Sequence, residues 1–298
     1  MTPYIMIGEP AVARAVLTDP LSAKPLYFYK CMRNVTGGRT MFTMNGHGWH
    51  AKRKAAAPAF SSKNVKRMNS VALEKTEAWI EDTLMQHSNE GTSFDIIQEM
   101  LSVVLLALIE TAYDYNMSEQ EVDMFGDELH LALIEFMRKS LSNPFRRMTG
   151  QLLPERRRAY LAVQKLRGMV RHIMDTYRNT KEHLRTQGTI IQLVMESDAY
   201  PNDQERAAQL LEFLLAGHET TAFSICWTLR CLAQNPKEQA KLRESLSQLS
   251  KENWTSSEYL KCVVKEGMRM YPVARSGKND VHPYQTVIPF FVCFSHTA

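Results

Sequence analysis

Apolar residues recur every three or four positions along most of this chain, the spacing of helices that turn one face to a core. Residues 65–91, VKRMNSVALEKTEAWIEDTLMQHSNEG, follow that period and stop at Gly91, a residue suited to the left-handed turn that ends a helix. Residues 94–115, FDIIQEMLSVVLLALIETAYDY, are apolar enough to predict a buried helix. Residues 119–141 and 153–184 predict amphipathic ones. Strand-like character is confined to PYIMIG, residues 3–8, and no repeat or low-complexity tract breaks the pattern. The expected fold class is therefore mainly α.

The longest periodic run extends from about 204 to Asn235, where Pro236 stops it. Asn202 followed by Glu205 predicts a capping box at its start. Some thirty residues at about 1.5 Å each make a rod that crosses a whole domain, so its midpoint is expected deep inside. That midpoint reads LLAGHETT, residues 214–221, and Gly, His, Glu and Thr are costly choices there. A second helix, YLKCVVKEGMRMY, is expected behind a capping box formed by Thr255 and Glu258, with Pro272 forcing the exit.

Composition narrows the class. Hydrophobic residues make up 44% and charged residues 23%, values of a soluble globular protein with room for a sizeable core. A net charge of +4 is too slight to predict nucleic-acid binding. Cysteines at 31, 226, 231, 262 and 293 form no CxxC pair, which predicts neither a zinc knuckle nor a disulfide framework and fits a reducing, intracellular compartment. The strongly apolar stretch LSVVLLALI, residues 101–109, is shorter than the roughly 20 residues of a membrane span, and the first residues lack a leader, so no membrane anchor is expected.

Three groups of residues carry candidate chemistry. Gly217 opens space beside the backbone, and Glu219 and Thr220 add an acid and a hydroxyl at the same level, a set suited to passing protons into a dry pocket. The alternative is a tight helix crossing at Gly217, with Thr220 and Thr221 bonding back to carbonyls one turn earlier. His218 and Glu219 resemble half of a zincin HExxH, but Ala222 occupies the second His position and excludes it. In GHGWHAKRKAAAPAF, residues 46–60, Trp49 and Arg53 share a helical face and could grip an anionic group, or be a partly buried indole beside a snorkelling arginine. Glu266 and Arg269, three apart, read by themselves as an exposed ion pair.

The series WxxxR with RKAAAPAFS, then AGHETT on a long helix, then KEGMRMYP resembles the cytochrome P-450 (P450) family of haem-thiolate monooxygenases, from about residue 3 to about residue 277. The resemblance implies a partial P450 fold, α-rich with small β elements, over residues 1–277. It implies that Trp49 and Arg53 hold a haem propionate and that Ala216 and Gly217 let the long helix pass over the haem. Glu219 and Thr220 would be the acid and alcohol that deliver protons to dioxygen. Glu266 and Arg269 would brace the pocket together with a further arginine. Implied partners are a hydrophobic small-molecule substrate, O2, and a reductase or ferredoxin that passes on electrons from NAD(P)H. Lys52, Lys54, Lys63 and Lys66 are candidate contacts for that donor, with a solvated face as the plainer reading.

The resemblance stops near Lys278. The family's cysteine loop, F-x-x-G-x-R-x-C-x-G, is not matched: aligning Cys293 to the ligand puts Thr286, Pro289, Phe291 and Ser295 at its four marked positions. Residues 278–298 are therefore expected to be an atypical, intron-derived or out-of-frame tail, and the P450 domain to be incomplete at both ends. A haem-free helical binding protein and a nonfunctional fragment stay open as alternatives.

Overall fold

The computed structural model describes residues 7, 9–19, 24, 32–139 and 144–273, and among them regular structure is wholly helical. The expected strand at residues 3–8 lies, apart from Ile7, outside the described residues, as do Cys31, Cys293 and the 278–298 tail. The helices are α1 (Pro10–Thr18), α2 (Gly46–Ala56), α3 (Ser62–Trp79), α4 (Ile96–Tyr113), α5 (Glu119–Leu133), α6 (Pro154–Asn179), α7 (Ile190–Met195), α8 (Asp203–Gln234), α9 (Pro236–Ser247) and α10 (Glu258–Met270).

Local chemistry sets their ends. Helix α3 runs through a π turn at Ile80–Leu84 into a last stretch, Met85–Glu90, which Gly91 closes at φ 65°. The Asp95 carboxylate caps α4 by accepting from Ile97 N–H at 2.8 Å. At the other end Asp114 takes φ 52°, unusual without a glycine, and its carboxylate accepts from the Thr186 N–H and hydroxyl at 2.8 and 2.7 Å. Helix α5 starts with a reciprocal Ser118–Glu121 capping box.

Two expected capping boxes take other forms. Asn202 does accept from Glu205 N–H at 2.9 Å, but the Glu205 carboxylate turns to Lys52 instead of closing the box. Helix α10 is capped by Ser257, which accepts from Leu260 N–H at 3.2 Å, and Thr255 falls in the preceding 3-10 turn. A hydroxyl two residues later offers the same chemistry with better reach.

Helix α8 is the axle of the fold. It packs chiefly on α4, with α6 and α7 beside its first half and α10 against its second. Leu105 and Ile109 of α4, Phe125 and Leu129 of α5, Leu166 and Ile173 of α6, and Leu210, Leu211 and Leu214 of α8 meet in one core. Each such side chain, fully buried, stabilises the fold by about 1.5–3 kcal/mol. Tyr113 sits among them and donates its hydroxyl to Leu210 C=O at 2.7 Å. Helix α4 is long and apolar enough to cross a membrane by length and composition alone; it packs against α3 and α8, and 39% of it is buried.

Two ion pairs have a buried cation: Arg156 with Glu135 at 3.4 Å, and Lys52 with Glu205. Lys52 of α2, a candidate surface base on sequence grounds, is only 2% exposed; its ammonium donates to Glu205 Oε2 at 2.7 Å and Arg39 C=O at 2.6 Å, and lies 5.2 Å from the Tyr200 ring centre. It cannot face an electron donor. Lys54, Lys63 and Lys66 are exposed. Removing one partner strands the other charge in a poorly hydrated place. Lys52→Met, which keeps most of the volume, is expected to lower the unfolding free energy by about 2–4 kcal/mol, read as a lower urea midpoint at unchanged slope.

Candidate functional site

Helix α2, the 3-10 turn Ala57–Phe60 behind it, and α8 border a half-open cavity of about 400 Å³ lined by Met41, Arg53, Ala56, Ala57, Phe60 and Phe213. Arg53 is exposed and is the charged member of the lining; Phe60 and Phe213 oppose each other with ring centres 6.3 Å apart. A cationic rim on apolar walls suits a flat apolar ligand that ends in an anionic group. Trp49, one turn earlier on α2, is half-buried with the Lys24 ammonium 5.4 Å from its ring centre and does not line this cavity.

From Phe213 the same face of α8 continues to Ala216, which is exposed, and then to Thr220. The Thr220 hydroxyl donates to Ala216 C=O at 2.6 Å, Ser224 donates to Thr220 C=O at 2.7 Å, and Thr228 donates to Ser224 C=O at 2.7 Å. This ladder satisfies the hydroxyls within the helix. Gly217 faces elsewhere: a Cβ there would meet Leu108 of α4 at 3.1 Å, so its missing side chain admits a close helix crossing. The small residue on the open side is Ala216.

His218 points into the core. Its Nε2 is 3.0 Å from Leu101 C=O and its ring meets Phe125 edge to face at 5.6 Å, while burial pushes its pKa down to about 4. The ring is therefore neutral near pH 7, with Nε2 the protonated nitrogen. Glu219 is half-buried, and desolvation of its carboxylate pushes its pKa up to about 7. It is thus an acid poised to exchange a proton near neutral pH.

Glu266 and Arg269 form a two-pronged pair on α10, both bonds 2.7 Å, at 60% and 67% exposure, apart from the cavity. Between α8 and α10 the tight point is Gly267, where a Cβ would meet the Thr228 hydroxyl at 2.5 Å, and next to it Trp227 and Tyr271 stack with centres 4.2 Å apart and planes 3° from parallel. Cys226 donates its thiol to Ile96 C=O at 3.6 Å, and burial raises its pKa to about 11. No cluster of three or more His, Cys, Asp or Glu suited to a metal occurs among the described residues. The structure thus puts Arg53 in one lining with Phe213 of α8, whereas Trp49, Ala216, Thr220 and the Glu266–Arg269 pair are not part of that lining. Sequence reasoning missed Met41 and Phe213 as walls, and it missed Gln209 and Glu212 beside them, although Glu212 interrupts the apolar run LLEFLL.

The family model for cytochrome P450 matches residues 1–283. The chain is similar to cytochrome P450 monooxygenase claP of Ampulloclitocybe clavipes, with 28% identity over 288 residues, 84% of this chain and 52% of that protein. It is similar to cytochrome P450 9e2 of Blattella germanica, with 28% identity over 332 residues, 92% of this chain and 60% of that protein. A crystal structure of a cytochrome P450 superposes with a TM-score of 0.73 at 20% identity, covering 92% of this chain and 65% of the other, which shows the shared fold. The chain spans about half the length of the curated relatives it matches.

Glu219 holds a proton more tightly in the folded protein than in the unfolded chain. Its stabilising contribution is full below about pH 4.5, its ordinary value, and is gone once the pH has risen through about 7. Glu219→Gln is therefore expected to flatten the fall in stability across that window and to gain roughly 1–3 kcal/mol above it. Urea midpoints of both proteins measured across the window check the sign.

Proposed function

The chain belongs to the cytochrome P450 family, and from that premise we propose that its α2–α8 cavity holds the propionate edge and one face of a haem in a monooxygenase that inserts one oxygen atom of O2 into a hydrophobic organic substrate. The observation that supports this reading is the juxtaposition, in one cavity lining, of Arg53 with Phe60 and Phe213, the last on the helix that carries Ala216 and Thr220 further along. Bound haem supplies the redox chemistry that activates dioxygen, with electrons from NAD(P)H through a reductase or ferredoxin.

The residues present fit that group on the side they form. Arg53 offers planar, paired N–H donors to a carboxylate, and Phe60 and Phe213 offer apolar contact to a ring edge. Ala216 lets a flat molecule lie against the helix because its side chain ends at Cβ. The described cysteines are not placed to act as a thiolate ligand: Cys226 is held protonated against α4, and Cys231 and Cys262 sit on α8 and α10.

Proton movement falls to two neighbours on α8. Glu219 holds a proton at its carboxyl near neutral pH, because its half-buried site disfavours the anion. Thr220 Oγ1 now donates to Ala216 C=O, and a rotation about χ1 would turn it to the exposed side, where it can pass a proton on.

Haem titration of the purified chain, followed by the reduced carbon-monoxide difference spectrum, tests the reading. Stoichiometric uptake is expected, and Arg53→Ala should weaken retention by about tenfold, the effect of one lost charge-assisted contact. In turnover with a redox partner, Thr220→Ala should divert electrons from product to peroxide at unchanged haem content. Unchanged coupling would remove Thr220 from proton delivery.

A further inference from the structure

Glu212 is a carboxylate, 5% exposed, on the core side of α8, and the chemistry above does not use it. Its two oxygens both accept from the Phe42 backbone N–H at 3.1 Å, and Gln209 donates its amide to Oε1 at 2.9 Å. The Gln209 carbonyl oxygen in turn accepts from Met41 N–H at 2.9 Å. The Thr40 hydroxyl also bonds Glu212, and the Lys24 ammonium, which donates to Met41 C=O, offsets its charge. Three consecutive residues, 40 to 42, are thus held by two side chains one turn apart on α8.

This hold is the last of a series. Gln204 donates to Gly37 C=O at 2.8 Å, Gly38 lies so close to α8 that a Cβ would meet that of Ala208 at 2.8 Å, and Lys52 bridges Glu205 and Arg39 C=O. The segment 37–42 therefore runs along α8 turn by turn from 204 to 212, and Met41 at its end becomes the cavity wall beside Phe213, with Arg53 in the same lining. A slip of this segment would move the wall and, through Lys52, helix α2 with its arginine.

We propose that Gln209 and Glu212 are positioning residues that lock segment 40–42 to α8 and so fix the width of the cavity in which Arg53 meets its ligand. The role of the cavity rests on the haem reading above; the lock itself does not. Two readouts separate them. Amide hydrogen exchange read residue by residue by NMR reports the lock, and titration with hemin reports the cavity.

Glu212→Ala is expected to speed exchange at Phe42 and Met41 by roughly tenfold or more, the effect of a lost hydrogen bond, while amides of α4 keep their protection. Hemin affinity should fall in parallel. Glu212→Gln, which retains an acceptor oxygen of the same reach, should recover most of both losses. Should Glu212→Ala fail to fold, Gln209→Ala removes the acceptor for Met41 N–H and one donor to Glu212, leaves the Phe42–Glu212 bond in place, and should affect the Met41 amide first. Exchange at Phe42 and Met41 that is unchanged, or that rises equally throughout the protein, would overturn the lock. Local loosening with hemin affinity unchanged would overturn its control of the cavity. Wild-type protein that takes up no hemin would instead remove the haem reading, and the exchange result would still decide whether the lock exists.

Discussion

An irregular backbone segment inside a helical protein must find partners for its N–H and C=O groups, and the fold is built around meeting that demand for residues 37–43. Helix α8 meets it with polar side chains at 204, 205, 209 and 212, one or two per turn, interleaved with the leucines that form the core. From α6, Arg167 reaches the Val35 and Asn34 carbonyls at 3.0 and 2.6 Å and so fixes the start of the same stretch. Once the segment is fixed, α2 follows it directly, tied to α8 through Lys52 and Glu205, and the cavity lies between Arg53 and Ala56 of α2, the turn behind it and Phe213 of α8. The polar residues in the first half of α8 thus organise a neighbouring segment, and those in its middle are the ones proposed to handle protons.

Much of this was legible in the sequence. Helical period, the stops at Gly91 and Pro236, and the apolar character of residues 94–115 translate directly into α3, α8 and α4, because local backbone preference and burial agree there. The AGHETT stretch stood out in the sequence as a candidate because its residues are poor choices for filling a core. What the sequence could not convey was direction. Gly217 reads as an opening toward a ligand but is turned to Leu108, and Lys52 reads as a surface base beside Arg53 and Lys54 but is buried. Neighbours on a helix point about 100° apart, so identical residue types in one short run end in opposite environments. Glu212 was overlooked for a related reason: its long-range partner is the backbone amide of Phe42, 170 positions away, and a backbone amide leaves no mark in a sequence.

The two halves of α8 also differ in how they are held. Its buried residues end at Ala222, and beyond that point the helix relies on the Thr220–Ser224–Thr228 ladder and on its contact with α10. That contact is close at Gly267, while Val264, Met268 and Met270 of α10 remain exposed at 39%, 44% and 50%. The strongly packed first half and the lightly covered second half join at the residues proposed to handle protons, so a change in the covering of α10 would be felt there through a single continuous helix.

The stacked Trp227 and Tyr271 mark this junction in a way that light can read. Parallel rings 4.2 Å apart couple their electronic transitions and fix the indole in a chiral setting. The near-ultraviolet dichroism and the emission of Trp227 therefore form an intrinsic gauge of the α8–α10 contact, present in the native sequence without any attached dye.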